Sequence, residues 1–317
     1  MTGVDASTQG LNMMESNYLF VAAACLAVFM MPCEIACADG PLPEFTFKGV
    51  AVDPNTLHWA PGDDIEHPAF IKMEGLVEKP LSKYYLYYGP HKHEGVGVMY
   101  ADSLAGPWKE YEGNPVVKGA AAPDVRWVKE KGRFQLWAHA KNSQTEMWTS
   151  PDGLNFERHS VSIQGSKVGT KNATYTRFYE YPIEKHGNRY VMLYVGYHLT
   201  TKLRSVWLAH STDAENWTQL KTPIVMPGEG ETDALYDPCL FRWKGKNYVV
   251  YADNNVWRGG TLKYVEVDQE LNSVQKGGTR YTLLEGPEKV QGRLRSPEFL
   301  VEDGKIHMLA GAGKAPR

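Results

Sequence analysis

Basic runs are missing from this chain. Its 34 Lys and Arg are scattered among 37 Asp and Glu, which excludes the positive stripe that nucleic-acid binding requires. Helical periodicity is missing as well: no amphipathic pattern of useful length appears after residue 39. Neither a closely spaced metal-ligand motif nor a nucleotide or redox-cofactor motif occurs. Cysteine is scarce, and three of the four, Cys25, Cys33 and Cys37, fall in the first 38 residues. Only Cys239 lies beyond them, so no intrachain disulfide can staple the body of the chain. In "DPCLF" it reads as a small buried hydrophobe. Disorder is excluded, because 12% of residues are aromatic and the formal net charge is only -3.

What is present begins with an apolar run of 14 residues, Tyr18 to Met31, followed by Pro32 and by small residues at Ala36 and Ala38. The run is short for a bilayer span, which takes about 20 residues. It has the proportions of a secretory h-region before an A-x-A-like cleavage site. Residues 1–38 therefore read as an export signal and 39–317 as the mature body, secreted or periplasmic, with no membrane attachment after cleavage. Asp5, Glu15 and Glu34 leave with the signal and no base does, so the acidic count falls from 37 to 34, level with the 34 bases.

The body repeats itself. "EHPAFIK…SKYYLYYGPHK", "AAPDVRWVKEKGRFQLWAHA", "YEYPIEKHGNRYVMLYVGYH", "LYDPCLFRWKGKNYVVYADN" and "RSPEFLVEDGKIHMLAGAG" share one plan: a proline, a short apolar run, a polar turn, and a second apolar run. Pro68, Pro123, Pro182, Pro238 and Pro297 mark the units at spacings of 55 to 59 residues. In the first three a further strand, a Ser/Asp/Gly turn and a short last strand follow, as in "TEMWTSPDGLNFERH". Four-stranded meanders at this period indicate an all-β, five-bladed β-propeller with antiparallel blades. The fifth unit stops after its second strand, so residues 43–52, "PEFTFKGVAV", are expected to close the last blade and remove the exposed edge.

In a propeller the first strand of each blade lies nearest the axis and the second returns beside it. Starts of first strands and ends of second strands therefore emerge on one face. The starts offer Glu66, His67, Asp124, Arg126, Arg177, Glu180, Asp237, Arg295 and Glu298, of which about half should face inward by strand alternation. The second-strand ends offer His91, His93, His139, His198 and Asp253. Trp257, in "NNVWRGG", is a candidate stacking platform for a sugar face. Acids from several blades at one mouth suit a carbohydrate, since hydroxyls need acceptors and glycosidic cleavage needs two carboxyl groups. The convergence leaves room for a structural divalent cation at the axis, but no cofactor is required.

"APDV" in the second unit, "YYLYYGPHK…MYADSLAGPW" in the first and "YTRFYEY" in the third resemble the five-bladed glycoside hydrolases of families 43 and 117 and their secreted bacterial relatives, over roughly residues 44 to 312. The resemblance implies a propeller fold and a sugar ligand. In family 43 an Asp directly before the first-blade proline is the general base; here that position holds His67, beside Glu66. The Asp that tunes the acid falls near Glu180 and Tyr181, and the general acid falls near Tyr236 and Asp237.

These residues together predict a secreted glycoside hydrolase acting on the ends of oligosaccharide or polysaccharide chains by inversion. Glu180 or Asp237 is the expected acid, and Asp124, Glu66 or the imidazole of His67 the expected base, with two carboxyl groups roughly 6.5–9.5 Å apart. Arg177, Arg295 and the histidines are expected to bind substrate hydroxyls, or a carboxylate or sulfate on an acidic sugar. Two alternatives stand beside this: a glycan-binding propeller without catalysis, and a propeller phosphorylase or lyase.

Overall fold

The computed structural model describes residues 19–23, 41–63, 65–90, 92–253, 261–274, 278–285, 292–302 and 305–314. Strands β1 (Leu19–Ala23) and β2 (Phe47–Gly49) precede a run of meanders. The first meander holds β3 (Ile65–Lys72), β4 (Tyr84–Pro90), β5 (Gly95–Ala101) and β6 (Lys109–Glu110), with β7 (Val117–Lys118) also on β5. The second is β8 (Ala121–Val128), β9 (Arg133–Lys141), β10 (Gln144–Ser150) and β11 (Glu157–Gln164). The third is β12 (Thr174–Ile183), β13 (Asn188–Tyr197), β14 (Arg204–Ser211) and β15 (Thr218–Gln219). The fourth is β16 (Leu235–Trp243), β17 (Lys246–Asp253), β18 (Thr261–Val267) and β19 (Tyr281–Glu285). All four are antiparallel, and the fold is an all-β propeller of four-stranded blades.

The remaining sheet is built differently. Antiparallel β20 (Gly292–Glu302) and β21 (Lys305–Lys314) are extended by β1 and then β2, both parallel. Of the expected closing segment 43–52 only Phe47–Gly49 joins the sheet, and it pairs with β1 rather than with β21. The strand between them comes from the apolar run that reads as an export signal.

Cores lie between neighbouring sheets rather than within one. Tyr85, Tyr87 and Val98 meet Val125, Phe134 and Leu136. Trp137 and Met147 meet Phe178, Tyr194 and Trp207. Val191 and Leu193 meet Val249 and Tyr251. Tyr248 and Tyr264 meet Ile306 and Met308, and Leu309 meets Ile65, Phe70 and Leu86. The inner strands β3, β8, β12, β16 and β20 pack against one another in a closed cycle. Sheets covered on both faces need no polar side, which is why β4 is a continuous buried run, YYLYYGP. Each fully buried aromatic side chain there contributes on the order of 2–3 kcal/mol.

The turns follow from their residues. "KEKGR" and "EKHGN" end on Gly132 and Gly187, both at φ 59°, where a Cβ would cost about 1–2 kcal/mol. Identical Ser-x-Asp turns lead to the outer strands of the second and third blades: Asp152 Oδ1 accepts from the N–H groups of Leu154 and Asn155, and Asp213 Oδ1 from those of Glu215 and Asn216.

β12 has an irregularity between Glu180 and Ile183, and every inner strand, β12 included, carries a bulge at one shared place. A residue with left-handed φ stands there in each: His67, Ala122, Tyr175, Asp237 and Ser296. Pro68, Pro123, Pro238 and Pro297 follow in four blades; a bulge needs no ladder donor from that residue, and proline has none. In the third blade Thr176 takes the position. Pro182 is therefore not the counterpart of the other prolines. It lies six residues further along, near the far end of β12, and the spacings become 55, 53, 62 and 59.

Candidate active site at the propeller axis

In a regular strand consecutive side chains point to opposite faces. The left-handed residue breaks that alternation, so the residue before it and the residue itself both reach the axis. Glu66 and His67 illustrate the result: adjacent in sequence, they place Oε2 and Nε2 3.6 Å apart. Inner strands treated this way bring an upper layer together. It holds Glu66 and His67 from β3, Tyr175 from β12, Tyr236 and Asp237 from β16, and Arg295 and Ser296 from β20.

His67 is the hub. Its Nδ1 lies 2.9 Å from Ser296 Oγ and 3.4 Å from Asp237 Oδ1, and its ring stacks on Tyr175 at 5.0 Å. Arg295 donates from Nε to Asp237 Oδ2 at 3.0 Å and from Nη1 to Glu66 Oε2 at 3.3 Å. Glu66, His67, Asp237, Arg295 and Ser296 are all buried. Tyr175, Tyr236, His139 and Arg204 are half-buried and form the side open to solvent. His139 meets the Tyr175 edge at 5.5 Å. The Arg204 guanidinium lies over the Tyr236 ring at 4.1 Å and the Tyr175 ring at 5.1 Å.

Burial pushes His67 down to about 4, against the opposing pull of Asp237 and Glu66, so it is neutral at neutral pH. Burial likewise lowers His139 to about 3, assisted by the charges of His67 and Arg204. For Asp237 burial works toward protonation, but Arg295 and then His67 outweigh it and hold the carboxyl below its ordinary range. Asp237 Oδ1 and Arg295 Nη2 are nevertheless buried without a hydrogen-bond partner.

A second layer fills the axis beneath. Asp124 Oδ2 accepts from the Phe178 N–H at 2.7 Å, and Asp124 Oδ1 lies 3.0 Å from Arg126 and 3.4 Å from Arg177. Glu298 lies 2.8 Å from Arg126 and 3.5 Å from Arg177. Arg177 Nη1 also donates to the Pro68 carbonyl. Asp124 has no exposed surface. Burial raises Glu298 despite the two arginines. The Tyr179 hydroxyl donates to Cys239 Sγ, whose thiol burial pushes up to about 12. Two carboxylates and two guanidinium groups thus balance here, as a plug rather than an open site.

Among the four catalytic candidates of the sequence, Glu66 and Asp237 share the upper layer and Asp124 lies in the plug. Glu180 does not join them. It is exposed and pairs with Arg189 at 2.7 Å on the outside of β12, because its blade is offset by the six residues separating Thr176 from Pro182. Among the binding candidates, His67, His139 and Arg295 belong to the upper layer, and Arg177 and Glu298 to the plug. His93 is exposed and lies 2.8 Å from Asp63, which also accepts from the Lys92 N–H. His198 accepts from the Thr201 N–H and stacks on Trp207. Asp253 is engaged by Thr232 and by Lys263 at 2.7 Å. His91 and Trp257 lie outside the described residues. Tyr175, Arg204 and Ser296 are not among the sequence candidates, and Tyr236 enters there only as the neighbour of Asp237 at the general-acid position. Tyr175, Tyr236 and Ser296 are reachable from sequence once the unit is aligned on the residue before Pro68, Pro123, Thr176, Pro238 and Pro297.

Among the described residues no group of three or more His, Cys, Asp or Glu side chains stands close enough to hold a metal ion. Where an axial cation would compensate the acids, Arg295 and Arg177 already do so.

No family model and no curated protein matches the sequence. Solved structures do. An exo-1,5-α-L-arabinanase from a bovine ruminal metagenomic library superposes with a TM-score of 0.54 at 15% identity, over 78% of this chain and 87% of that one. An α-L-arabinofuranosidase from Lactobacillus brevis gives 0.56 at 12%, over 75% and 80%. A thermostable family-43 glycoside hydrolase gives 0.51 at 14%, over 77% and 92%. The chain has the propeller fold of these enzymes. At such identities the likeness reaches the fold and stops there.

Proposed function

We propose that this protein is a secreted or periplasmic glycoside hydrolase of five blades, the antiparallel pair β20 and β21 forming the fifth once the export signal, and β1 with it, is removed. The observation that carries the reading is the pair of orphaned buried atoms, Asp237 Oδ1 and Arg295 Nη2, beside His67. An acceptor and a donor without hydrogen-bond partners on the floor of a ring complement a sugar hydroxyl, which is both. The half-buried Tyr175 and Tyr236 supply apolar ring surface above them. The fold of the arabinanases and arabinofuranosidases is consistent with an oligosaccharide end as substrate.

Asp237 is ionised and has an acceptor oxygen to spare, which fits a general base acting on water. Glu66, the other carboxyl of the layer, is assigned the acid that protonates the leaving oxygen, giving inversion. Arg295, paired with both, holds the two carboxyls in place. The test is product analysis by NMR after incubating the protein with arabino-, xylo- and algal oligosaccharides, with and without phosphate. Hydrolysis independent of phosphate, lost by at least about 10²-fold in Asp237→Asn and Glu66→Gln, is the expected result. Phosphate-dependent cleavage would make it a phosphorylase instead.

One observation favours a second reading. Glu66 and Asp237 both pair with Arg295, which stabilises two carboxylates and leaves no protonated acid. A glycan-binding propeller would show wild-type affinity without turnover on the same panel.

A further inference from the structure

The four arginines that the blades bring toward the axis are not alike: Arg126, like Arg177, pairs with Asp124 and Glu298. Arg177 meets Asp124 and Glu298, and Arg295 meets Glu66 and Asp237. Arg204 pairs with no carboxylate among the described residues. Its Nη2 donates to Thr174 Oγ1 at 3.2 Å, and its Nε is buried without a partner. Glu66 and Asp237 are spoken for by Arg295, and Asp253 by Lys263 at 2.7 Å, while Asp233, beside the start of β14, is exposed and makes no ion pair with Arg204.

Its position is fixed from three sides. The backbone N–H of Arg204, the first residue of β14, donates to the Asp233 carbonyl at 2.9 Å. Thr174, itself buried, holds one terminal nitrogen. Tyr236 and Tyr175 cover one face of the guanidinium. The group therefore loses little further freedom when it binds, which is what a recognition residue needs. Because the tyrosine faces are negative, they favour the cation without neutralising it.

We infer that Arg204 binds an oxyanion on the sugar, so that the substrate class is an acidic glycan carrying a uronate carboxylate or a sulfate ester. This rests on the reading of the axis as a glycan site and names the chemistry of its ligand. The geometry distinguishes Arg204 from Arg177 and Arg295, whose charges are already met. With Nη2 held by Thr174 and Nε buried, the guanidinium keeps Nη1 and the second Nη2 hydrogen as a fork suited to two oxygens of one anion.

The test is binding measured by calorimetry at low salt on the full chain, with oligogalacturonate, a sulfated carrageenan oligosaccharide, and neutral arabino- and xylo-oligosaccharides. At least one acidic ligand should bind about tenfold or more tighter than the neutral ones. The preference should collapse toward unity in Arg204→Gln, and persist in part in Arg204→Lys, which keeps the charge but not the fork. Preference for the uronate assigns a carboxylate, and preference for carrageenan a sulfate. Equal affinity for neutral and acidic ligands, or a preference that survives Arg204→Gln in a protein of unchanged melting temperature, overturns the inference while leaving the glycan site intact. Failure of every oligosaccharide to bind or react overturns the glycan reading and this inference with it.

Discussion

Acidification should destabilise this protein well above the range where carboxylates titrate, and His67 gives the magnitude. The unfolded chain takes up a proton on this histidine near pH 6.5, whereas the folded chain holds it neutral down to about pH 4. Between those limits the unfolded state binds more protons, so stability is fully present above pH 6.5 and drains away as pH falls. The gap corresponds to about 3 kcal/mol for this buried side chain, a sizeable share of the roughly 5–15 kcal/mol that holds a typical domain folded. The perturbation is His67→Asn, which keeps a polar atom toward Ser296 Oγ and removes the titration. The assay is guanidinium unfolding followed by tryptophan fluorescence at intervals from pH 7 to pH 4. The wild type should lose about 3 kcal/mol more than the variant over that range. His139 titrates in the same window and is present in both proteins; the His67 charge that lowers it further develops only near pH 4, so its contribution nearly cancels in the difference above that pH. Parallel stability curves for the two proteins would refute the reasoning, because they would mean that His67 accepts its proton in the ring as readily as in water.

Other expectations follow from the two layers. Asp124→Asn leaves Arg126 and Arg177 with one carboxylate in place of two, in a dry plug, and should cost about 3–5 kcal/mol in denaturant unfolding. Glu180→Gln removes an exposed pair and should change stability by less than about 1 kcal/mol, with turnover unaltered in the oligosaccharide assay. Cys239, buried and with its thiol raised to about 12, should react with a thiol reagent only when denaturant is present. Intact-mass measurement of protein recovered from culture fluid should give a chain starting at Asp39. That chain lacks β1, and its melting temperature compared with the uncut protein measures what the inserted strand contributes.

The blade plan was legible because it is written in local chemistry: paired apolar runs, Lys-Gly and Ser-x-Asp turns, and a proline once per unit. The alignment of the third unit was not, because Pro182 lies at nearly the expected spacing while the residue with the structural role is Thr176. That one offset carried Glu180 into the candidate site and hid Tyr175. A different limit applied to Arg204. It comes from a third strand rather than a first or second, and its place over two tyrosines is set by packing across blades that no local pattern encodes. The insertion of Leu19–Ala23 into the last sheet was equally invisible, since an apolar run before a small-residue site reads the same whether it pairs or is cleaved.

Five left-handed residues at one position of five inner strands, none of them glycine, raise the question of what that conformation is for. Each costs on the order of 1–2 kcal/mol relative to ordinary strand geometry. Strain confined to catalytic groups would point to the reaction, but Ala122 and Ser296 carry it as fully as His67, Tyr175 and Asp237. The common element is geometric: the kink lets two successive side chains face the axis where a flat strand would offer one. Glu66 with His67, Tyr236 with Asp237 and Arg295 with Ser296 are all such pairs. The backbone device therefore belongs to the ring as a whole, and function enters through which side chains occupy it. On this view the small Ala121–Ala122 pair of the second blade is informative, because it leaves its share of the ring to the imidazole of His139, which reaches Tyr175 from the neighbouring strand.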